Sequence, residues 1–471
     1  MTISSNKTTK KPHVLVIPFP AQGHLIPILD LTHKLAAHGG LTITFFTTPK
    51  NLPFLDPLLS AHPSINTLVL PFPSDPSIPE GIENAKDLPN SMKVMIRALT
   101  RLHDPLLHWF KSHPSPPQSI ISDMFTGWTC RLASELGIRR ILFSPSGAFG
   151  LSTIYFLWSE LPKPQNTDDK NEVVSFTKIP NSPKFPWWQV SPLYRSYLSG
   201  EPDSDHLKDA FRANLPSWGI IVNSFTELEK DYLDYLEKDL GNDRVWAVGP
   251  LFPGDDYLSG TTQRGGSSSV KAEEIMSWLD KREDNEVVYV CFGSQALLTK
   301  DQTEQLASGL EKSGVHFVWS LKDKNCDVIP SGFEDRVAER GLVIKEWAPQ
   351  VLVLSHRAVG VFLTHCGWNS LLEAIVAGVA MLTWAMGADQ FVNAKLLVDE
   401  LKVAKRVCEG RESVPDSDEL ARVLFESVSE NEGEKTRAVE LRESALNAIK
   451  DGGSSNKVFR CLMDQLTSLE L

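Results

Sequence analysis

Short β-branched segments alternate with helical patterns in both halves of the chain, and this alternation constrains the fold more than any other feature. In the first half the segments are HVLVIPF (13–19), TITFFTT (42–48), TLVL (67–70), SIIS (119–122), RILFS (140–144) and GIIVNS (219–224), with a helix expected from about Pro27 to Ala37. The second half repeats the pattern with EVVYVCF (286–292), VHFVWSL (315–321), GLVIKEW (341–347), VGVFLT (359–364), VAMLTW (379–384) and VAKRV (403–407). Near-continuous apolar runs of this length, spaced by helices, belong to parallel strands covered on both faces. Each half is therefore expected to form its own parallel α/β sheet. A chain of 471 residues exceeds what one core organises, and two domains is the simplest count.

The boundary is expected at Pro253 to Ser269, PGDDYLSGTTQRGGSSS, whose Gly, Ser and Asp favour an exposed connection. That gives an N-terminal domain 1–252, a linker 253–269 and a C-terminal domain 270–454. The last segment, 455–471, has helical spacing in Val458, Cys461, Leu462, Leu466 and Leu469. A second polar, proline-rich stretch from Pro162 to Pro186 ends in Trp187-Trp188, and long loops of this kind are more often functional or disordered than structural.

Composition excludes several classes. The net charge of −12 leaves no basic footprint for nucleic acid or an anionic membrane. The longest early apolar run, His13 to Pro20, is far shorter than the ~20 residues of a membrane span, and its lysine-bearing leader has no cleavage-like site. A cytoplasmic protein is expected, so the sequon Asn6-Lys7-Thr8 carries little weight. The six cysteines (Cys130, Cys291, Cys326, Cys366, Cys408, Cys461) form no CxxC pair and read mostly as buried thiols, not as a disulfide framework or zinc motif.

Open parallel sheets bind ligands at the carboxyl ends of their strands, and the polar turns after LVIKEW, VGVFLT and MLTWA fall on one such rim. His365, Asn369 and Ser370 flank the first turn of a helix expected over Trp368–Ala377, where free N–H groups and the macrodipole attract anions. Ser370-Leu371-Leu372-Glu373 also fits a capping box that needs no ligand. Taken singly, Trp347 reads as a core filler, Asp389 as a helix cap, Gln390 as solvated surface, Ser294 as a turn serine and His24 as a satisfied surface group.

Together they read differently. The gapless stretch from Trp347 to Gln390, with its HCGWNS core and tryptophans at 347 and 368, resembles the signature box of plant family 1 glycosyltransferases, which move a sugar from a UDP-sugar to small lipophilic acceptors. The resemblance implies the GT-B arrangement: two Rossmann-like domains face each other across a cleft, and the last helix packs back on the N-terminal domain. The first domain then holds the acceptor, with 162–186 on its rim, and the second holds the donor.

It also implies roles. Trp347 stacks on uracil, Ala348 contacts it through the backbone, Gln350 and Glu373 take the ribose, and Ser294, His365, Asn369 and Ser370 take the diphosphate. Asp389 and Gln390 bind the sugar hydroxyls, and Gln390 with Trp368 leans toward glucose over xylose or rhamnose. AQGH and SD match the family's catalytic pair: His24 deprotonates the acceptor, Asp123 holds the imidazole, and inversion at the anomeric carbon follows.

No metal cluster is visible in the sequence and no cofactor is expected, the UDP-sugar being a co-substrate. A monomer is expected. FPAQGHLIPILDL, LPFPSDPSIPEGIEN (70–84) and SPLYRSY (191–197) look most like the flavonol 7-O-glucosyltransferase subgroup, which also accepts phenolic acids. Two positions depart from the family pattern: Arg357 and Ala385 stand where proline is usual, and the second is expected to loosen the loop before Asp389. The competing classes are a nucleotide-sugar-binding protein without turnover and a nicotinamide-dependent oxidoreductase, for which no G-x-G-x-x-G follows either first strand.

Overall fold

The computed structural model describes residues 11–88, 92–166, 168–252, 269–294, 296–321, 328–429 and 432–468. The sequon at Asn6, Cys326, Leu469 and the linker 253–269, apart from Ser269, lie outside the described residues. Among the described residues fifteen strands follow in chain order. Those of the first half are β1 (His13–Ile17), β2 (Thr42–Thr47), β3 (Asn66–Val69), β4 (Ser119–Asp123), β5 (Arg139–Ser144), β6 (Val173–Ser175), β7 (Lys184–Pro186), β8 (Gly219–Val222) and β9 (Val245–Ala247). The second half supplies β10 (Val287–Cys291), β11 (His316–Leu321), β12 (Gly341–Lys345), β13 (Val359–Thr364), β14 (Ala380–Ala385) and β15 (Ala404–Glu409).

Two parallel sheets result, as the alternation requires. The first has seven strands in the order β3-β2-β1-β4-β5-β8-β9, and the second has six in the order β12-β11-β10-β13-β14-β15. Every residue of β1, β4, β8 and β13 is buried, because helices cover both faces. In each sheet the order reverses beside the first strand of its half, between β1 and β4 and between β10 and β13. Loops leaving such neighbours diverge and open a crevice, so these two points are where ligands are expected.

Three details differ from the sequence reading. The first helix runs over Gln22–His38, not from Pro27, so His24 belongs to its first turn. Pro27 lies past the unpartnered N–H groups of the first turn, and its missing N–H leaves the Gly23 carbonyl without its usual helical donor. Strand β9 and the antiparallel hairpin of β6 and β7 are too short, at three residues each, to register as periodic runs.

The final helix spans Ser454–Thr467 and buries Phe459, Leu462, Met463 and Leu466 among Val14, Leu25, Leu35 and Trp246 of the first sheet's layer. Leu462 and Leu466 lie on this inner face as the spacing suggests and Val458 packs at its edge, while Cys461 is exposed. Ser455 fastens the helix by donating from Oγ to the Gly249 carbonyl at 2.6 Å. Among the described residues no helix is long and apolar enough to cross a membrane.

Candidate active site

At the switch point of the first sheet, His24 Nδ1 lies 2.9 Å from Asp123 Oδ2. The loop after β1 brings the imidazole into the first turn of its helix, and Asp123 is the last residue of β4. Asp123 is fully buried, while 16% of the His24 side chain is exposed. The other carboxylate oxygen, Oδ1, accepts the Phe125 N–H at 2.8 Å, and this locks the orientation of the carboxylate. Phe19 and Phe125 pack against the imidazole with ring centroids 5.4 and 4.5 Å away. The result is a ring held by one nitrogen, walled by aromatics and open on one side.

At the switch point of the second sheet, the turn after β10 carries Gly293 and Ser294, and the loop after β13 carries His365. Gly293 has φ +69°, and a Cβ there would lie 2.5 Å from His365 Cε1; Gly367 crowds the same Cε1–Nε2 edge, with 2.5 Å to Nε2. That edge of the imidazole is therefore seated against two stretches of backbone. The helix Trp368–Ala377 begins at Gly367 without a side-chain cap. Ser370 is not its N-cap, so the capping-box alternative fails. Instead Gln350 Nε2 donates to Ser370 Oγ at 2.8 Å and to Glu373 Oε2 at 2.6 Å, which joins three of the sequence-selected residues. Ala348 is buried beside them, and Trp347 is half-buried at the end of β12.

Asp389 precedes the helix Gln390–Lys395 but does not cap it through its side chain. Its Oδ2 accepts the Ser146 hydroxyl of the first domain at 2.6 Å. Gln390 is not a solvated surface group either: its Oε1 accepts the N–H groups of Met386 and Gly387 at 2.9 and 3.0 Å. Those bonds answer the expectation about Ala385, which is itself held in register with Glu409. The loop is tied down by Gln390 without proline. Arg357 lies at the opposite end of β13 and pairs with Asp284 at 2.6 Å, away from the rim.

Three non-glycine residues at this rim adopt positive φ: Glu346 (76°), Cys366 (66°) and Ala388 (53°). Each directly precedes or follows a sequence-selected residue: Trp347, His365 and Asp389. Left-handed backbone in side-chain-bearing residues costs on the order of 1–3 kcal/mol each and clusters at binding sites.

The two rims meet. Asn369 Nδ2 donates to the Gly23 carbonyl, next to His24, at 3.1 Å, and the Trp368 indole N–H donates to the Asn223 carbonyl at 2.7 Å. Trp368 is buried, and Gly147 makes room for it, since a Cβ at 147 would lie 2.4 Å from Trp368 Cη2. The structure thus uses Trp368 as a contact between domains. Trp188 packs on Phe391 at 5.2 Å and Gln189 donates to Glu409 at 3.2 Å, so the end of the proline-rich stretch also crosses the cleft. Sequence reasoning missed Ser146, Gly147, Asn223, Gly293 and the aromatic walls. The available signal was position: SPSG follows β5 and NS follows β8 at the same carboxyl rim.

Comparison with known proteins agrees with this architecture. Residues 248–410 match the family described as UDP-glucoronosyl and UDP-glucosyl transferase. The chain is 58% identical over 475 residues to the flavonol 3-O-glucosyltransferase UGT89B1 of Arabidopsis thaliana, covering 99% of this chain and 98% of that one. It is 42% identical over 469 residues to the flavonol 7-O-rhamnosyltransferase of the same plant, covering 96% and 97%. The crystal structure of Arabidopsis thaliana UGT89C1 complexed with UDP-L-rhamnose superimposes with a TM-score of 0.81 at 42% identity, covering 98% of this chain and all of that one.

Two parallel-sheet domains whose ligand rims face each other make this a GT-B glycosyltransferase. Extended identity over almost the whole length narrows the class: the chain belongs to the plant family 1 UDP-glycosyltransferases, in the group of the flavonol glycosyltransferases named above.

Proposed function

We propose that this enzyme transfers glucose, with inversion, from UDP-glucose to a hydroxyl of a small phenolic acceptor of the flavonol type. The observation that carries the reading is the His24–Asp123 pair at 2.9 Å, set beside the helix start of the donor domain through the Asn369–Gly23 contact. Asp123 accepts a hydrogen bond from Nδ1–H and thereby leaves Nε2 as the base for the acceptor hydroxyl. The imidazolium that forms is stabilised by the same buried carboxylate. On the donor side Trp347 stacks on uracil, Ala348 meets it through the backbone, and Gln350 and Glu373 take the ribose. Ser294, His365, Asn369, Ser370 and the helix N–H groups take the diphosphate and stabilise departing UDP. Asp389 and Gln390 orient the sugar, with the anomeric carbon facing the acceptor.

Glucose is favoured by Gln390 and by the 58% identical glucosyltransferase. Rhamnose is the second reading, supported by the 42% identical rhamnosyltransferase. For the position of attack, sequence similarity to the 7-O-glucosylating subgroup favours the 7-hydroxyl, and the relative named as a flavonol 3-O-glucosyltransferase favours the 3-hydroxyl. We propose that the enzyme works as a monomer in the cytoplasm and also accepts phenolic acids.

The test is incubation of flavonols and phenolic acids with UDP-glucose, UDP-xylose and UDP-rhamnose, read by product mass and nuclear magnetic resonance. A β-glucoside of a flavonol is expected, and an α-glucoside or no transfer contradicts the proposal. In the same assay His24→Ala should lower turnover by about two to four orders of magnitude with UDP binding nearly intact. Unchanged turnover removes His24 from the mechanism.

A further inference from the structure

Behind the rim, on the first-domain side, lies a carboxylate that the mechanism does not use. Glu229 is 2% exposed. Its Oε2 accepts the Ala148 N–H at 2.8 Å and the Ser224 hydroxyl at 2.5 Å, and its Oε1 accepts the Phe149 N–H at 2.8 Å. An ionised group taken out of water is costly unless its lone pairs are satisfied, and an apolar side chain would fill the space more simply. What the carboxylate gains is a grip on two loops at once: the one after β5, at the N-terminus of the helix Ala148–Glu160, and the one after β8.

Both loops reach across to the donor domain, one to Asp389 at the sugar end and one to the start of the helix Trp368–Ala377. Ser146, two residues before Ala148, donates to Asp389 at 2.6 Å. Asn223, one residue before Ser224, accepts the Trp368 indole N–H at 2.7 Å. Gly147 lies between: a Cβ there would be 2.4 Å from Trp368 Cη2 and 2.7 Å from Glu229 Oε1. The carboxylate and the tryptophan therefore both close on the space that a side chain at Gly147 would take.

We infer that Glu229 is a positioning residue for sugar transfer: by tying the loops after β5 and β8 together, it holds Ser146 and Asn223 where they dock Asp389 and Trp368 of the donor domain. The inference rests on the donor reading proposed above. It separates Glu229 from residues that touch the nucleotide, because its route through Ser146 ends on Asp389 at the sugar end.

Glu229→Gln keeps the shape but turns one acceptor into a donor that opposes an N–H or O–H group. In the full-length enzyme the KM for the UDP-sugar should rise and kcat fall, together by about 10- to 100-fold in kcat/KM, the scale of a lost charged hydrogen bond. The Kd for UDP alone should stay within about twofold, a split that general destabilisation does not produce. Ser146→Ala should give the same split, and the double variant should lose less than the product of the single losses, since both changes weaken the Ser146–Asp389 contact.

If Glu229→Gln does not fold, Ser224→Ala, which removes one donor from the carboxylate, carries the same comparison with Ser146→Ala. Equal losses in UDP and UDP-sugar binding, no loss in kcat/KM, or a double variant whose loss is the product of the singles overturns the inference. Failure of the donor reading looks different: UDP affinity of Trp347→Ala would then equal that of the unsubstituted enzyme.

Discussion

Replacing Asp123 by asparagine isolates the step that the catalytic proposal depends on, because the surroundings dictate how the new amide must face. In the native enzyme Oδ1 accepts the Phe125 N–H at 2.8 Å, and Oδ2 faces His24 Nδ1 at 2.9 Å. An asparagine can satisfy the Phe125 N–H only by placing its carbonyl oxygen there, which turns its NH2 toward His24. Facing a donor, Nδ1 gives up its proton, and the proton moves to Nε2, the nitrogen that has to accept from the acceptor hydroxyl.

Geometry survives and the tautomer is wrong. The same substitution behind a protease histidine costs about four orders of magnitude in kcat, and general-base catalysis is worth about two to four orders. At about 1.4 kcal/mol per decade this is about 3–5 kcal/mol of barrier. The assay is UDP release at saturating flavonol and UDP-glucose, with UDP affinity measured alongside by calorimetry. Turnover within about threefold of the native value, at unchanged UDP affinity, would refute the role of Asp123.

Three further outcomes are expected. Trp347→Ala should weaken UDP binding by roughly 5- to 150-fold, the usual worth of about 1–3 kcal/mol for a base stacked on an aromatic ring; unaltered affinity returns the residue to a core filler. Gly293→Ala should weaken donor binding on the order of 10-fold, because φ +69° suits glycine and a Cβ 2.5 Å from His365 Cε1 displaces that ring; calorimetry with UDP decides it. Burial pushes the Lys34 ammonium down from 10.5 to about 8. The unfolded chain keeps that proton up to about its ordinary value, so between these two pH values unfolding takes up protons. Stability should therefore gain from this residue as pH rises from about 8 toward 10, by at most about 1.4 kcal/mol per pH unit. Lys34→Met should abolish that share of the slope in urea titrations, and parallel slopes for the two proteins would contradict it.

Much of this was legible in the sequence, for a physical reason. Parallel strands covered on both faces must be apolar throughout, so VGVFLT and HVLVIPF announce themselves, and the helix Trp368–Ala377 has the boundaries its pattern suggests. The donor residues are close in sequence, since one strand–loop–helix unit after another supplies them.

Contacts between domains were not legible. Ser146 and Asp389 are 243 positions apart, and nothing in either segment names the other. Single residues also gave two readings that only packing could separate. Ser370 with Glu373 fits a capping box, yet Gly367 is the cap and Gln350 takes both side chains. The spacing of Val458, Leu462 and Leu466 marks the helix face that packs on the first domain, but Phe459 and Met463 widen it and Cys461 falls outside it.

A crystal structure of the enzyme with UDP and a flavonol bound together tests the central claim most directly. The account predicts uracil stacked on the Trp347 indole, the diphosphate over the start of the helix Trp368–Ala377, and an acceptor hydroxyl within about 3 Å of His24 Nε2. A nucleotide bound away from Trp347, or an acceptor whose hydroxyls all lie beyond reach of that nitrogen, would contradict it.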